Sequence, residues 1–286
     1  MTTPATDAFA AHRPLLLGLA YRLFGSMWDA EDVVQEAYLK WMRTDRDEIR
    51  EPRAFLITMV SRLALDTLRS SRVTREAYTG PWLPEPVATD GLGPQETAEL
   101  RDTLSYATLH LMERLSPPER AVFVLREAFG LPYERIAAIV DTTVANCRQL
   151  HHRATRRLAD GPDRFAPSSE RHGELLGRFL DAARGGDLAA LTELLAEDVV
   201  AYNDGGGRVR AALRPIVGRD AVLAFVAGLV SRYEIADIRV TEANGGPAAW
   251  TVMGGREQLV TLGVRDGRIH AIYGVLNPDK LGHVRP

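Results

Sequence analysis

Pro132-Tyr-Glu-Arg-Ile-Ala-Ala-Ile-Val-Asp-Thr-Thr-Val-Ala-Asn-Cys-Arg-Gln-Leu-His-His-Arg-Ala-Thr-Arg-Arg-Leu158 is the stretch from which the chain is best read. Pro132 opens a short helix through Ile136, Ala137 and Ile139, and Asp141-Thr142-Thr143 supplies a turn and a cap. A longer helix follows from Val144 to about Leu158. Val144, Cys147, His151, Ala154 and Leu158 recur at three- and four-residue spacing and predict its inward stripe, with Cys147 a small core residue and His151 at the edge. The outward set contains Ala145, Asn146, Arg148, Gln149 and His152. Two unequal helices joined by a tight turn, the second basic, describe a helix-turn-helix. In a major groove Arg148 can read guanine and Gln149 adenine, with His152 beside them. Arg153, Arg156 and Arg157, toward the helix exit, suit phosphates, which give affinity without sequence information.

Outward from this motif the chain falls into three segments. Residues 99–160 read as all helix, with a capping-box pattern at Ser116-Pro-Pro-Glu119, an apolar run at Ala121–Leu125 and a stop at Gly130. Residues 9–75 read as a small helical bundle. Leu15, Leu16, Leu19, Leu23 and Phe24 make one stripe, Gly25-Ser26 ends that helix, and Asp29 is the expected cap of the next. Pro52 sits near the start of a third helix through Phe55, Leu56, Met59, Val60, Leu63 and Leu68. Residues 76–98, with four prolines and three glycines, and residues 161–169 read as linkers. Residues 170–286 change character: two helices with Asp187 capping the second, a short strand at Val199–Tyr202, a helix near Asp220–Ser231, then four strand-like runs. Asp266-Gly267 joins the last two as a hairpin, and helices followed by an antiparallel sheet predict an α+β domain.

The 286 residues suit about two domains at roughly 150 residues each, and 45% hydrophobic residues can fill their cores. One cysteine excludes an internal disulfide and a thiolate metal cluster, which predicts a cytoplasmic protein. No apolar run approaches the ~20 residues of a membrane helix, so no membrane partner is expected. The net charge of −3 hides a sharp segregation. Arg53, Arg62, Arg69, Arg72 and Arg75 face one acid, Asp66, while Asp29, Glu31, Asp32 and Glu36 cluster without a base. Basic and acidic surfaces on one bundle call for partners of opposite sign.

Asp29-Ala-Glu-Asp-Val-Val-Gln-Glu-Ala-Tyr-Leu-Lys-Trp41 resembles the core-polymerase-binding helix of bacterial sigma factors. Pro52-Arg-Ala-Phe-Leu-Ile-Thr-Met-Val-Ser-Arg-Leu-Ala-Leu-Asp66 resembles the promoter-melting, −10-reading region, and Leu115-Ser-Pro-Pro-Glu-Arg-Ala-Val-Phe-Val-Leu-Arg126 with the helix-turn-helix resembles the −35-reading domain. Their order and separation match the extracytoplasmic-function group. The resemblance implies core RNA polymerase and promoter DNA as partners. Asp32, Gln35 and Glu36 would dock the polymerase, and Arg53, Arg62, Arg69 and Arg72 would engage the −10 region. The base-flipping pocket would lie around Thr44–Glu51, although Asp45, Asp47, Glu48 and Glu51 disfavour phosphates there.

The C-terminal segment resembles the SnoaL-like, nuclear-transport-factor-2-like fold, helices against a curved sheet that forms a cone with a pocket. Trp82-Leu-Pro-Glu-Pro86, Asp204-Gly-Gly-Gly-Arg208 and Asn277-Pro-Asp-Lys-Leu281 fit the SigJ-like subgroup that carries this domain. The fold expected is thus two all-α sigma domains followed by an α+β cone. Gly205, Gly206 and Gly207 permit positive φ and close approach. They can pack against the sigma domains, hold an anion with backbone N–H groups, or make an ordinary hairpin turn. Asn277, Pro278 and Asp279 start a turn, with Lys280 following and Leu281 as an apolar anchor, and Trp82 and Leu83 are the expected contact. These three motifs form the expected interdomain, regulatory set.

The resemblance implies a sigma factor with no reaction of its own, modulated by its C-terminal domain, whose pocket takes a small apolar ligand. A helix-turn-helix regulator that recruits nothing is one alternative; a SnoaL-like cyclase or isomerase fused to a DNA-binding region is the other. For the latter, Asp204, Tyr202, Trp250, His270 and Tyr273 would have to converge in the cavity. No Ser-His-Asp order, metal-ligand cluster or nucleotide-binding glycine fingerprint stands out, and no cofactor is expected.

Overall fold

The computed structural model describes residues 5–45, 47, 49–88, 105–159 and 169–284. Two compact units emerge, one from residues 5–76 and 111–159, the other from residues 77–88, 105–110 and 169–284. The sequence expectation of a linker over 76–98 therefore meets a difference: its described part, 77–88, is built into the second unit. Residues 89–98 of that linker and 161–168 of the next lie outside the described residues.

In the first unit, α1 (Ala5–Phe24), α2 (Met27–Arg43) and α3 (Pro52–Glu76) pack together. The apolar stripe closes as its spacing predicts, with Leu16, Leu19, Leu23 and Trp41 almost fully buried. Ser26, not Asp29, caps α2: its hydroxyl accepts the Asp29 N–H at 3.2 Å, because the chain turns one residue after Gly25 (φ 68°). After α4 (Tyr106–Met112), which runs from the second unit into the first, come α5 (Pro117–Glu127), α6 (Tyr133–Val140) and α7 (Val144–Ala159). Gly130 (φ 62°) ends the chain reversal after α5, and left-handed Asp141 (φ 58°) closes α6. Thr143 Oγ1 accepts the Asn146 N–H at the start of α7. Helices α1 and α3 both meet α5, and α3 meets α6, within this unit.

The second unit contains α8 (Ser169–Gly185), α9 (Leu188–Leu194), β1 (Leu195–Asp204), β2 (Ile216–Val217), α10 (Arg219–Val230), β3 (Ile235–Ala243), β4 (Gly246–Met253), β5 (Arg256–Arg265) and β6 (Arg268–Val275). Asp187 caps α9 as expected. The sheet order is β2-β1-β6-β5-β4-β3. Asp266 and Gly267 both have positive φ, as a two-residue hairpin requires. The expectation of a purely antiparallel sheet fails at one pair: β1 runs parallel to β6, which the intervening strands make possible. Alternate residues face opposite sides. On one face Ala201, Ala249, Val260 and Ile272 pack under α8, α9 and α10; on the other Trp250, Leu259, Tyr273 and Val275 pack against Leu83, Tyr106 and Leu281.

Candidate functional site

On α7, Cys147, Leu150 and Ala154 are buried, while Val144, His151 and Leu158 are half-buried. Leu150 joins the inner face, which the spacing alone missed. Burial raises the Cys147 thiol pKa, so it is a core group rather than a nucleophile. Arg148, Gln149, His152, Arg153, Arg156 and Arg157 are all exposed. Arg148 lies 5.5 Å from the Tyr133 ring centroid and 3.8 Å from Glu134, a loose arrangement that leaves its fork in solvent. Arg157 is held differently: Nη1 donates to Glu119 at 2.7 Å, with Arg153 Nε 3.6 Å from the same carboxylate. Glu119 also accepts from the Ser116 N–H and hydroxyl. Burial alone would raise its pKa; the Ser116 hydrogen bonds and the two guanidinium charges outweigh that and hold it below the ordinary carboxylate value.

Asp32, Gln35 and Glu36 are exposed on α2, and so are Trp28, Leu39 and Met42. At 100° per residue these six positions fall within roughly a third of the helix circumference. Around the helix Trp28 and Leu39 fall in the middle of that face, Gln35 and Met42 to one side and Asp32 and Glu36 to the other, an apolar centre with an acidic edge that charge counting did not reveal. On α3, Arg53, Arg62 and Arg69 are exposed. Arg69 pairs with Asp66 at 3.5 Å, and Arg62 donates to the Ala138 carbonyl at the end of α6 at 2.9 Å. The side chain of Arg72 lies outside the described residues, as does Glu48 in the connection before α3.

The three short motifs of the second unit converge. Asp204 has no exposed surface and accepts from the Tyr78 hydroxyl (2.6 Å), the Leu83 N–H (2.9 Å), the Gly206 N–H (3.0 Å) and Lys280 Nζ (2.8 Å). Lys280 also donates to the Leu83 carbonyl at 2.5 Å and lies 3.3 Å from the Trp82 ring centroid, a cation–π contact in a desolvated setting. Asn277 donates to Tyr78, and Arg208 pairs with Asp279 across an exposed 3.0 Å contact. Leu83 and Leu281 share one apolar cluster. Pro278 starts the short 3-10 turn, Pro278–Lys280, that delivers Lys280 inward. Burial raises the Tyr78 pKa, reinforced by its bond to Asp204, so it stays a donor. Gly205–Gly207 packs inside the second unit, not as the interdomain contact expected from sequence: Gly206 (φ 57°) backs onto Asn277 and Tyr78, Gly207 lies against Thr79, and the Gly206 N–H is taken by Asp204. Tyr78 and His283 went unnoticed in sequence because they fall outside the motifs; Glu85, inside the first motif and joined to His283 at 2.5 Å, was not singled out because nothing local marks its partner.

The cone pocket lies on the other face. Its cavity is about 70 Å³, and about 640 Å³ of open space is enclosed once the mouth and adjoining solvent are included. It is lined from α8, α10 and the sheet, among others by Phe179, Asn203, Phe225, Thr251 and Gln258. The expected candidates do not line it. Tyr202, Asp204, Trp250 and Tyr273 are one residue out of phase and face the opposite side, and His270 pairs with Asp198 at 2.9 Å.

Residues 8–74 match the family model for sigma-70 region 2, residues 106–158 that for sigma-70 region 4, and residues 176–272 that for the SnoaL-like domain. The ECF RNA polymerase sigma factor SigJ of Mycobacterium tuberculosis is 38% identical, over 95% of this chain and 91% of that protein. The chain belongs to the extracytoplasmic-function sigma factors. A Mycobacterium tuberculosis protein described as the probable ECF sigma factor SigI is 36% identical over 78% of this chain. The crystal structure of Mycobacterium tuberculosis SigJ superposes with a TM-score of 0.81, covering 97% of this chain and 98% of that one at 36% identity. As a sigma factor of this group, the protein directs promoter-specific transcription initiation. No helix among the described residues is long and apolar enough to cross a membrane.

Proposed function

We propose that this sigma factor docks core RNA polymerase through the outer face of α2, reads the −35 element with α7 and engages the −10 element with α3, under the control of its C-terminal domain. The observation that carries the docking step is the single exposed face on which Asp32, Gln35 and Glu36 accompany Trp28, Leu39 and Met42, the acids along one edge. An apolar centre with a charged rim is the composition of a protein interface, whereas the acids would repel DNA there. Arg148, Gln149 and His152 approach base edges. Arg153 and Arg156 meet phosphates, and Arg157, braced on Glu119, presents its remaining donors to them. Arg53, Arg69 and Arg72 supply the −10 phosphate contacts. Arg62 donates to the Ala138 carbonyl through Nη2 and presents its remaining donors to the same phosphates.

The C-terminal domain acts as a binding module without a reaction of its own, its pocket taking a small apolar ligand. The absence of any ionisable side chain from the described lining supports this, because acid–base turnover needs a titrating group within hydrogen-bond reach of substrate. Control passes through the linker, whose residues 78–83 are gripped by Asp204 and Lys280.

In vitro transcription from a linear duplex promoter with purified core enzyme tests the division of labour. Arg148→Ala and Gln149→Ala should change sequence preference by about 1–3 kcal/mol at one position each, while Arg156→Ala weakens all promoters alike. Equal loss on every sequence for all three variants would overturn the assignment. Failure of the chain to retain core enzyme in a pull-down at low and moderate salt would overturn the docking face.

A further inference from the structure

The cavity under α8 and α10 carries a polar group that its own walls leave unsatisfied. Asn203 Nδ2 is enclosed and has no hydrogen-bond partner among the described residues. Across the sheet Gln258 Nε2 donates to Thr251 Oγ1 at 3.0 Å, so the Thr251 hydroxyl proton is free to donate in turn. Buried donors are nearly always paired in folded proteins, and a lone enclosed one marks a place for an acceptor. No lining side chain is ionisable, so a charged ligand would shed its hydration with no countercharge to replace it. The cavity proper, about 70 Å³, is smaller than the roughly 150 Å³ that admits benzene, so only a polar head and the first carbons of a chain enter it and the rest of the chain lies in the open mouth. An unbranched chain is accommodated in this way; a fused-ring body is not.

The pocket also adjoins the linker contacts. Asn203 pairs in register with Gly274, and both line the cavity. The next residue, Asp204, points to the opposite face, where it holds Tyr78, Leu83 and Lys280. Its carbonyl accepts the N–H groups of Leu276 and Asn277, each at 2.8 Å. A group that fixes Asn203 against Gly274 therefore fixes the strand ends from which the linker contacts hang.

We propose that the cavity binds a small neutral ligand with a slim apolar body and one carbonyl-type acceptor, held by the Asn203 amide, and that its binding stiffens the Asp204–Leu83 contact. The proposal rests on the domain being a binding module, and its test is independent of transcription. The full chain is titrated calorimetrically with 2-octanone, octanoate and octylamine. Saturable binding of the ketone, at least about tenfold tighter than either ion, is expected. Asn203→Leu should weaken the ketone about tenfold, and Val226→Trp, which fills the cavity from α10, should abolish it. Should Asn203→Leu fail to fold, the infrared carbonyl stretch of 2-octanone bound to the unaltered chain decides: a fall relative to hexane solution shows the hydrogen bond. An unshifted stretch, no saturable ketone binding, a preferred ion, or an undiminished affinity in Asn203→Leu would each overturn the site. Hydrogen exchange of the Leu83 amide should slow severalfold at ketone saturation; unchanged exchange would overturn the coupling. A chain that initiates from its promoter yet binds no ketone loses this proposal alone.

Discussion

Gly206 is where one added methyl group has the greatest local effect. Its φ of 57° disfavours any L side chain, and a Cβ there would fall on the Asn277 carboxamide and within 2.9 Å of the Tyr78 hydroxyl. Gly206→Ala should cost about 2–4 kcal/mol, from left-handed strain plus overpacking, read as a lower urea midpoint for the second unit. An unmoved midpoint would mean that the loop shifts without resistance. The need for glycine at 205–207 was legible in the sequence, but its cause was not. A run of glycines reports backbone freedom, while the groups that require it, Asn277 and Tyr78, lie 71 and 128 positions away. The cavity residues were obscured for a related reason. Asn203 and Asp204 are adjacent in sequence and opposite in space, so sequence alone could not tell which of them faces the pocket.

Helix α7 depends on an element two turns of chain earlier. Glu119 in α5 caps its own helix through Ser116 and braces Arg157 of α7. Because its folded pKa is depressed, this stabilisation is complete above the unfolded carboxylate value, near 4.5, and is lost as pH falls through the lower folded value. Far-UV unfolding curves should therefore show the helix-turn-helix weakening below about pH 4.5, and Glu119→Gln should flatten that dependence and cost about 1–3 kcal/mol at neutral pH. An unchanged acid limb in the variant would place the loss elsewhere. The helices themselves were legible, since stripes, caps and stop glycines act over one or two turns. Ser26 displaced Asp29 as a cap because the helix starts three residues earlier, directly after the turn at Gly25. The parallel pairing of β1 with β6 was hidden because register between strands some 70 residues apart leaves no local trace.

At the scale of the second unit, Lys280 is the cation on which the linker contacts converge. Lys280→Met would leave Asp204 enclosed with three neutral donors and no countercharge. The expected loss is about 3 kcal/mol, at the lower end for breaking a buried pair because those donors remain. Hydrogen exchange over residues 78–88 should accelerate; retained protection would show that Tyr78 and the backbone suffice. The order of domains and the three motifs were legible from sequence, and so was a contact between residues 82–83 and the chain's end. That residues 77–88 belong structurally to the C-terminal unit was not, because prolines and glycines mark irregular backbone whether or not it is packed.

Leu83 and Lys280 are 197 positions apart. At roughly 5–20 residues per second a ribosome takes about 10–40 s to travel between them. Every newly made copy therefore passes through an interval in which both sigma regions have been synthesised while the lysine that packs on Trp82 and Leu83 has not. Until Lys280 is made, Asp204 has only the neutral donors Tyr78, Leu83 and Gly206 to hold it, and residues 78–83 wait for their cation.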